Sequence, residues 1–387
     1  MIIDIHLSNF YSIDNDITLS LQAVNLRGKQ VLALKDNVFM CGDEKLLKTV
    51  VIYGANASGK SNIIKAIRTC LKLILNAHNH NEDTVFDFAP FKFADSEKLS
   101  HFDIRFLIDG IEYEYYFSLT RKEIFTESLY FYPHGRKVLV FTRDETKGKN
   151  KKEIYSFGKM IKRPLAVAES TSRKMLLISR ASQMDRDIAK KVFTYFKNKV
   201  VLDYAGYSSF AVEESLKNNK EALLRLLKVV GSDIVDIKLK KGDEASSDFL
   251  IRTYHRQNSS VPFDFDAEES NGTKVLFKLM LAVLTVIKDG GLLLVDELEN
   301  SMHVKLIEYI LNLINRSDSA QLVFTTHNTY LLNLKKFRKD QIYFVNKDGN
   351  GASDLYSLYD FKNVKDNLDV EKAYLQGQFN AIPYIDD

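Results

Sequence analysis

The sequence has few cysteines, and it lacks long hydrophobic runs. Its two cysteines, Cys41 and Cys70, do not have metal-ligand spacing, and a chain of 387 residues is too long for a disulfide scaffold. Apolar stretches such as 279–287 are too short to span a bilayer, and residues 1–6 lack the basic and apolar run of a signal peptide. We therefore expect a cytoplasmic protein with reduced thiols and no membrane partner.

The net charge is also low, at +3, although charged residues form 27% of the chain. A protein dedicated to coating nucleic acid is usually far more basic, so any DNA contact would have to come from a local patch. One basic run, Lys335–Lys339, could be such a patch or the solvated end of a helix. The length suits two lobes, or one large α/β domain with an insertion.

Hydrophobic patterning predicts parallel strands that alternate with helices. The β-branched run 49–53 has the composition of a central parallel strand, and 60–77 carries apolar residues at helical spacing. After residue 272, apolar helices and buried strands alternate again. This order is typical of an α/β fold.

The middle of the chain has a different pattern. Four short strand-like segments between residues 103 and 141 predict an antiparallel sheet, with Asp109 and Gly110 as a tight turn between the first two. Residues 172–198 and 212–230 have helical periodicity and predict a helical lobe. The fold class we expect is therefore α/β, with an antiparallel β subdomain and a helical insertion lobe.

Residues 54–61 read Gly-Ala-Asn-Ala-Ser-Gly-Lys-Ser, which fits the phosphate-binding pattern G-x-x-x-x-G-K-[ST] in full. The segment lies between a predicted buried strand and a predicted helix, where glycines let backbone N–H groups surround phosphate oxygens. Lys60 would reach the β- and γ-phosphates of ATP, and Ser61 would bind Mg²⁺. The predicted ATP-binding residues of this loop are Gly54, Asn56, Ala57, Ser58, Gly59, Lys60, Ser61 and Asn62.

Two further strands are predicted to end at the same edge of the sheet. The apolar strand 291–295 runs into Asp296 and Glu297, and the strand 321–326 runs into His327. We expect Asp296 to hold Mg²⁺ through water and Glu297 to polarise the attacking water. His327 could be a packed core histidine or a loop residue, but its position at a third strand end favours a γ-phosphate contact. The predicted catalytic residues are Lys60, Glu297 and His327.

A fourth feature is the segment 269–273, Glu-Ser-Asn-Gly-Thr, which precedes an apolar helix. Ser270 and Gly272 could present a hydroxyl and backbone N–H groups to an anion at the start of that helix. Alternatively, Ser270 could merely cap the helix. The spacing of these residues does not decide between the two interpretations.

Together these motifs resemble an ABC-type ATPase head of the kind found in SMC and recombination-repair proteins. The resembling positions are the signature Ser270–Thr273, the Walker B pair Asp296 and Glu297, the D-loop Asn300–His303 and the switch histidine His327. The resemblance implies a P-loop NTPase fold of ABC-ATPase type with a mixed central sheet, and ATP and Mg²⁺ as cofactors. It also implies a homodimer or higher homo-oligomer, in which Ser270 and Gly272 contact ATP on the P-loop of the partner.

Other segments resemble the stand-alone ATPases of bacterial anti-phage and abortive-infection operons, which include relatives of the overcoming-lysogenization-defect, Septu and PARIS ATPases. These segments are 7–13, 56–62, 325–328, 340–347 and 373–379. The resemblance implies an antiviral defence switch that controls a nuclease-like effector from the same operon. Because few residues follow His327, we expect that effector to be a separate chain. DNA or a phage protein would be the trigger.

The resemblance also divides the chain into three parts. Residues 1–145 would form the N-terminal part of the ATPase head, 146–260 a mainly helical insertion or lid lobe, and 261–387 the C-terminal part of the head. Two alternative functions remain open. A DNA-repair or chromosome-maintenance ATPase that grips DNA would show DNA-stimulated hydrolysis with a steep salt dependence. A non-hydrolysing scaffold would assemble with ATP and release no phosphate.

Overall fold

The computed structural model describes residues 1–26, 32–148, 150–204, 209–241, 249–300, 302–362 and 364–382. Within these ranges the chain forms one mixed sheet, one large antiparallel sheet and two small antiparallel sheets, with helices packed between and around them. The D-loop residue Ser301 lies outside the described residues.

The central sheet has six strands in the spatial order β11–β15–β16–β5–β17–β18. Its first five strands are parallel, and only β18 runs antiparallel to its neighbour. The prediction of an α/β fold with a mixed central sheet is confirmed. The strands are β5 (Thr49–Gly54), β11 (Val200–Val201), β15 (Gly291–Val295), β16 (Ala320–Thr325), β17 (Ile342–Lys347) and β18 (Ser353–Ser357).

This sheet separates two hydrophobic cores because successive side chains of a strand point to opposite faces. Val50 and Ile52 of β5 pack into one core, whereas Val51 and Tyr53 pack into the other. All six residues of β5 are buried, as are all residues of β15 and β16. Burial on both faces explains why these strands read as continuous apolar runs rather than as alternating ones.

Three long helices flank the central strands. They are α1 (Lys60–Asn76), which follows β5, α8 (Asn271–Asp289), which precedes β15, and α9 (Val304–Arg316), which connects β15 to β16. In α9 the buried residues Ile307, Ile310, Leu311 and Ile314 recur at the spacing of one helical face. The short helix α10 (Val370–Leu375) packs near the far edge, where Tyr374 stacks on Phe344 of β17.

The second large sheet is antiparallel and has seven strands in the order β10–β9–β8–β7–β6–β1–β2. Asp109 and Gly110, with φ of 52° and 76°, make the turn between β6 and β7, as predicted. The prediction of an antiparallel sheet is therefore confirmed. Its strands are β1 (Ile2–Ser8), β2 (Ile17–Ser20), β6 (Ser100–Ile108), β7 (Ile111–Leu119), β8 (Ile124–Tyr132), β9 (Val138–Asp144) and β10 (Tyr155–Phe157).

The segment 146–260 divides its buried side chains between the two cores. Its first helices pack with the antiparallel sheet, whereas α6 and a three-stranded sheet pack on the opposite face of the central sheet. These helices are α2 (Lys151–Ile154), α3 (Pro164–Glu169), α4 (Leu177–Gln183), α5 (Asp187–Lys199) and α6 (Ser209–Val229). That this segment is a lobe of its own remains a prediction.

The small sheets and one short helix complete the described elements. The three-stranded sheet leads through α7 directly to the start of α8, so it carries the Ser270 segment. Its strands are β12 (Ile234–Lys241), β13 (Phe249–His255) and β14 (Asn258–Asp264), the helix is α7 (Phe265–Glu268), and the other small sheet pairs β3 (Val38–Cys41) with β4 (Glu44–Leu47). Across the described ranges, no helix is both long and apolar enough to cross a membrane.

One carboxyl group on the antiparallel sheet lies in an unfavourable place for its charge. Asp103 of β6 is partly buried, and its Oδ1 atom is buried without a hydrogen-bond partner among the described residues. Burial raises its pKa from 3.8 to about 6; the neighbouring carboxylates of Glu114 and Asp4 add to the shift, and His6 and Arg105 oppose it. Ionisation at neutral pH therefore opposes folding at this position.

We expect Asp103→Asn to stabilise the protein at neutral pH but not in acid. Because the pKa of Asp103 is raised on folding, its stabilising contribution is complete below pH 3.8 and is lost as the pH rises through about 6. At pH 7 the free energy of unfolding of the variant should be about 1–2 kcal/mol higher than that of wild type. Near pH 4.5 this gain in stability should be mostly absent. Urea unfolding at both pH values measures this, with the exposed Asp16→Asn as control. Equal gains at both pH values would contradict the assignment.

Candidate functional site

The loop between β5 and α1 has the backbone that a phosphate-binding loop requires. Ala57 and Gly59 both have left-handed φ values, 62° and 111°. A Cβ atom on Gly54 would lie 2.4 Å from the backbone oxygen of Val345, and one on Gly59 would lie 2.0 Å from the hydroxyl oxygen of Ser353. Both glycines are therefore required by the close approach of the neighbouring strands β17 and β18.

Lys60 is the first residue of α1, and its side chain folds back over the loop. Its Nζ atom donates hydrogen bonds to the carbonyl oxygens of Gly54 and Ala55, at 2.9 and 3.0 Å. Burial lowers the pKa of Lys60, and the carboxylates of Glu297 and Asp296 oppose that shift. The ammonium group is thus held inside the loop, at the point where a bound phosphate would need positive charge.

The remaining predicted residues of the loop divide by exposure. Asn56, Ala57 and Ser61 are exposed, whereas Ser58 is buried and its hydroxyl oxygen has no hydrogen-bond partner among the described residues. Asn62 is partly buried and donates from Nδ2 to the hydroxyl oxygen of Ser12, at 2.8 Å. The exposed residues leave the mouth of the loop open to a ligand, and the buried ones fix its underside.

The predicted acidic pair lies two strands away from the loop, at the same edge of the sheet. Because β16 is hydrogen-bonded between β15 and β5, the residues that follow these strands come together. Asp296 is half-buried and Glu297 is exposed, with a left-handed φ of 51°. No described residue hydrogen-bonds to the carboxylate of Glu297, although its backbone N–H donates to Thr325.

Thr325, at the end of β16, organises this acidic pair. Its hydroxyl donates to Oδ1 of Asp296 at 2.6 Å and accepts from the backbone N–H of Glu297 at 2.7 Å. Thr325 is fully buried, whereas Asp296 is half-buried and Glu297 is exposed, so the two hydrogen bonds anchor the acidic pair from the protein side. The sequence interpretation missed this role. A hydroxyl residue at the end of the strand beside the acidic strand was the available signal.

The donor set at this edge suits Mg²⁺. The hydroxyl of Ser61 is exposed on the first turn of α1, and Asp296 has one oxygen engaged by Thr325 and another that no described residue hydrogen-bonds. Hydroxyl and carboxylate oxygens are hard ligands, which Mg²⁺ prefers. Mg²⁺ commonly uses only one or two protein ligands beside phosphate and water. Ser61 and Asp296 would therefore hold the ion, which would neutralise phosphate charge.

His327 lies just beyond β16 and is exposed, so it is not a packed core histidine. Its backbone N–H donates to Oε1 of Glu299, which ties the histidine loop to the segment after Glu297. The other oxygen of Glu299 is buried without a hydrogen-bond partner among the described residues. Glu299 is a second residue that the sequence interpretation missed. A contact between His327 and a γ-phosphate stays a prediction.

The Ser270 segment opens α8 at a separate cleft. Ser270 caps the helix, because its hydroxyl oxygen accepts from the backbone N–H of Thr273 at 3.1 Å. Ser270 and Gly272 are also exposed and line a cleft of about 900 Å³ together with residues such as Met302 and His303. The cap therefore does not remove Ser270 from solvent. None of the loop residues 54–62 lines this cleft.

The residue before Ser270 anchors this segment to the three-stranded sheet. The side chain of Glu269 is 6% exposed and lies 2.8 Å from the imidazole Nε2 of His255 on β13. Thr253 of the same strand donates to the same carboxylate oxygen. The position of the Ser270 segment therefore depends on β13, an element more than a dozen residues earlier in the chain.

The basic run Lys335–Lys339 does not form a free patch. Lys336 pairs with Glu308 at 2.7 Å, Arg338 is buried and pairs with Asp340 at 2.6 Å, and Lys339 pairs with Asp366 at 2.8 Å. Only Lys335 is exposed without an acidic partner among the described residues. The run therefore offers little positive charge to a DNA backbone.

The buried parallel strand, the glycine loop and the acidic strand end define a P-loop ATPase. The chain belongs to the family described as "AAA domain, putative AbiEii toxin, Type IV TA system", whose model matches residues 50–333. That range begins within β5 and includes the loop, the Ser270 segment, the acidic pair and His327.

The solved structures that resemble this fold at a distance include two SMC heads. An SMC head bound to the C-terminal winged-helix domain of ScpA has 15% sequence identity and a TM-score of 0.45, covering 92% of this chain and 97% of that one. The SMC head domain from Thermotoga maritima has 13% identity and a TM-score of 0.42, covering 92% and 98%. A search of curated proteins by sequence found no match.

Replacing Thr325 with valine should slow ATP hydrolysis about tenfold to a hundredfold, because it removes the hydrogen bonds that orient Asp296 and Glu297. Nucleotide binding should change less, since the loop residues are untouched. Steady-state phosphate release and calorimetric titration with ADP measure the two effects. Thr49→Val is the matched control, because the Thr49 hydroxyl is buried without a partner among the described residues. Unchanged hydrolysis in Thr325→Val would show that these contacts do not position the acidic pair.

Proposed function

We propose that the protein hydrolyses ATP and acts as a switch that dimerises head to head around the nucleotide. The observation that carries this proposal is the convergence of Lys60, Asp296 and Glu297 at one edge of the central sheet. The family match to an AAA-type ATPase domain supports it. Lys60 would bind the β- and γ-phosphates, and Ser61 and Asp296 would hold Mg²⁺.

Glu297 is the proposed general base. Its carboxylate is exposed and unpaired among the described residues, while its backbone is fixed by Thr325. It would orient the attacking water and take its proton as the water oxygen bonds to the γ-phosphorus and the bond to the leaving oxygen breaks. His327 would contact the γ-phosphate from the neighbouring strand end. Lys60 would offset the negative charge on the phosphate oxygens.

The exposed position of Ser270 and Gly272 supports the dimer. Within one chain these residues are exposed and line a different cleft from the phosphate-binding loop. A second copy in head-to-head orientation would bring them to the γ-phosphate on the first copy. ATP would then stabilise the closed dimer, and hydrolysis would release it, because a ligand shifts an equilibrium only toward the state it contacts.

The proposed biological role is control of a separate, nuclease-like effector in anti-phage defence, in the cytoplasm. The description of the matched family includes a putative toxin of a toxin–antitoxin system, which supports a role in such systems. DNA or a phage protein would trigger the switch. A function as a DNA-gripping ATPase is not favoured, because the basic run Lys335–Lys339 is largely paired.

Glu297→Gln should lower the rate of ATP hydrolysis by at least about a hundredfold, because the amide cannot accept the proton of the water. ATP binding should persist, so the variant should accumulate as a dimer with ATP. Phosphate release and light scattering after size exclusion measure the rate and the mass. Glu221→Gln, an exposed change on α6, is the control. Hydrolysis at the wild-type rate would exclude Glu297 as the base. The proposed dimer would then be tested separately by the Ser270→Arg variant.

Ser270→Arg should abolish the ATP-dependent dimer and leave ATP binding by the monomer intact, because the large side chain would fill the space for the partner's phosphate. Loss of the helix cap should cost about 0.5–2 kcal/mol, so the melting temperature is measured alongside. Ser259→Arg, exposed on β14, is the matched control and should dimerise normally. A Ser270→Arg protein that dimerises with ATP would exclude the proposed arrangement.

A further inference from the structure

A chain of hydrogen-bonding side chains lies beneath the phosphate-binding loop. The hydroxyl oxygens of Ser12 and Ser353 are 2.7 Å apart, and that of Ser353 is 2.6 Å from the backbone oxygen of Ser58. The side-chain amide of Asn62 donates to the hydroxyl of Ser12 at 2.8 Å. The backbone N–H of Ser353 also donates to the backbone oxygen of Ser12, at 2.6 Å. Both serines are buried.

The hydroxyl of Ser353 donates on both sides, to the backbone oxygen of Ser58 and to the hydroxyl oxygen of Ser12, which share its single proton. A carbonyl oxygen can only accept, so the Ser58 carbonyl depends on this hydroxyl. The hydroxyl oxygen of Ser12 also accepts from the amide of Asn62. Ser353 therefore links the Ser58 carbonyl to Ser12, and Asn62 holds Ser12 from the other side.

This hydrogen-bond network sets the orientation of the peptide between Ser58 and Gly59. A trans peptide is planar, with its C=O and N–H groups pointing in opposite directions. Because the Ser58 carbonyl points to Ser353, the N–H of Gly59 must point away from it, out of the underside of the loop. Gly59 also has no room for a side chain on the serine side. The loop is thus held with one N–H oriented outward before any ligand arrives.

Ser12 is itself held by a strained segment. Asn9 and Tyr11 have left-handed φ values of 57° and 53°, a backbone conformation that is unfavourable for Tyr and better tolerated by Asn. The neighbouring loop compensates, because the N–H of Tyr11 donates to the Ala89 carbonyl at 2.8 Å and the N–H of Phe91 donates to the Asn9 side chain at 2.9 Å. The surrounding structure thus maintains an unfavourable backbone at the position that presents Ser12.

We infer that Ser12 and Ser353 are positioning residues that preorganise the phosphate-binding loop for nucleotide. The inference rests on the proposed function, since it deepens the role of the same loop. Neither hydroxyl is assigned a contact with ATP, so both act through Ser58 and Gly59. Ser12 follows β1 of the antiparallel sheet, and Ser353 begins β18 of the central sheet. The shape of the loop therefore depends on how the two sheets are placed relative to each other.

The test compares nucleotide affinity with turnover in Ser353→Ala. We expect ADP and ATP to bind about tenfold more weakly and KM for ATP to rise about tenfold, because the loop must then be ordered by the ligand. The value of kcat should stay within about twofold of wild type, because the loop is ordered again once ATP is bound. Calorimetric titration with Mg²⁺–ADP gives the affinity without requiring hydrolysis or dimerisation. Ser12→Ala should behave in the same way, and it serves if Ser353→Ala fails to fold.

The matched control is Ser357→Ala. Ser357 is a buried serine on the same strand, and its hydroxyl contacts the carbonyl oxygens of Lys339 and Ile342 rather than the loop. The Ser357→Ala variant should lose about as much stability as Ser353→Ala and keep the ADP affinity of wild type. In the double variant Ser12→Ala/Ser353→Ala, the fold loss of ADP affinity should be smaller than the product of the two single losses, because both hydroxyls belong to one hydrogen-bond network.

The possible outcomes separate the two proposals. ADP affinity in Ser353→Ala equal to wild type, or an equal loss in Ser357→Ala, would overturn the positioning role and leave the proposed ATPase function standing. A fall in kcat without a change in ADP affinity would also overturn it. Wild-type protein that binds neither ADP nor ATP would overturn the proposed function and this inference with it.

Discussion

The placement of β16 between β5 and β15 is the constraint on which the candidate site depends. Parallel pairing aligns Val51 of β5 with Phe324 of β16, and Phe324 with Val295 of β15. The residues that follow this row are therefore brought to one edge, although the end of β5 lies more than 200 residues before the ends of β15 and β16. The pairing is stable because each of the three strands is buried on both faces, and it leaves the polar strand ends open.

The electrostatics of that edge follow from how little freedom its charged groups have. Lys60 is satisfied by backbone carbonyls rather than by a carboxylate, and Asp296 is oriented by the neutral hydroxyl of Thr325. Lys60 and the two acidic residues therefore lie near each other, and among the described residues no salt bridge forms between them. In the proposed function, a site arranged in this way would have its groups fixed before phosphate or a metal ion binds, which would lower the cost of ordering them during reaction.

The sequence predicted some parts of this arrangement because their signals are local. The glycine loop, the apolar strand that ends in Asp296 and Glu297, and the Asp109–Gly110 turn each occupy a few consecutive residues. Thr325, Glu299 and the Ser12–Ser353 pair were not predicted, because their roles arise from contacts between segments that lie 28 to 341 residues apart in sequence. The pairing of β12, β13 and β14 into the sheet that anchors Glu269 was not predicted, since its register depends on packing against α6.

By itself, the sequence determined which residues are candidates to bind phosphate and metal, because backbone freedom at glycine and the charge of a side chain belong to the residue. It also determined the order of strands and helices, since hydrophobic period is a local property. Only the tertiary structure decided that Ser270 lines a different cleft from the loop, and that Ser353 holds the loop from below. Sheet order and side-chain packing set those positions, and both depend on long-range contacts that no short segment specifies.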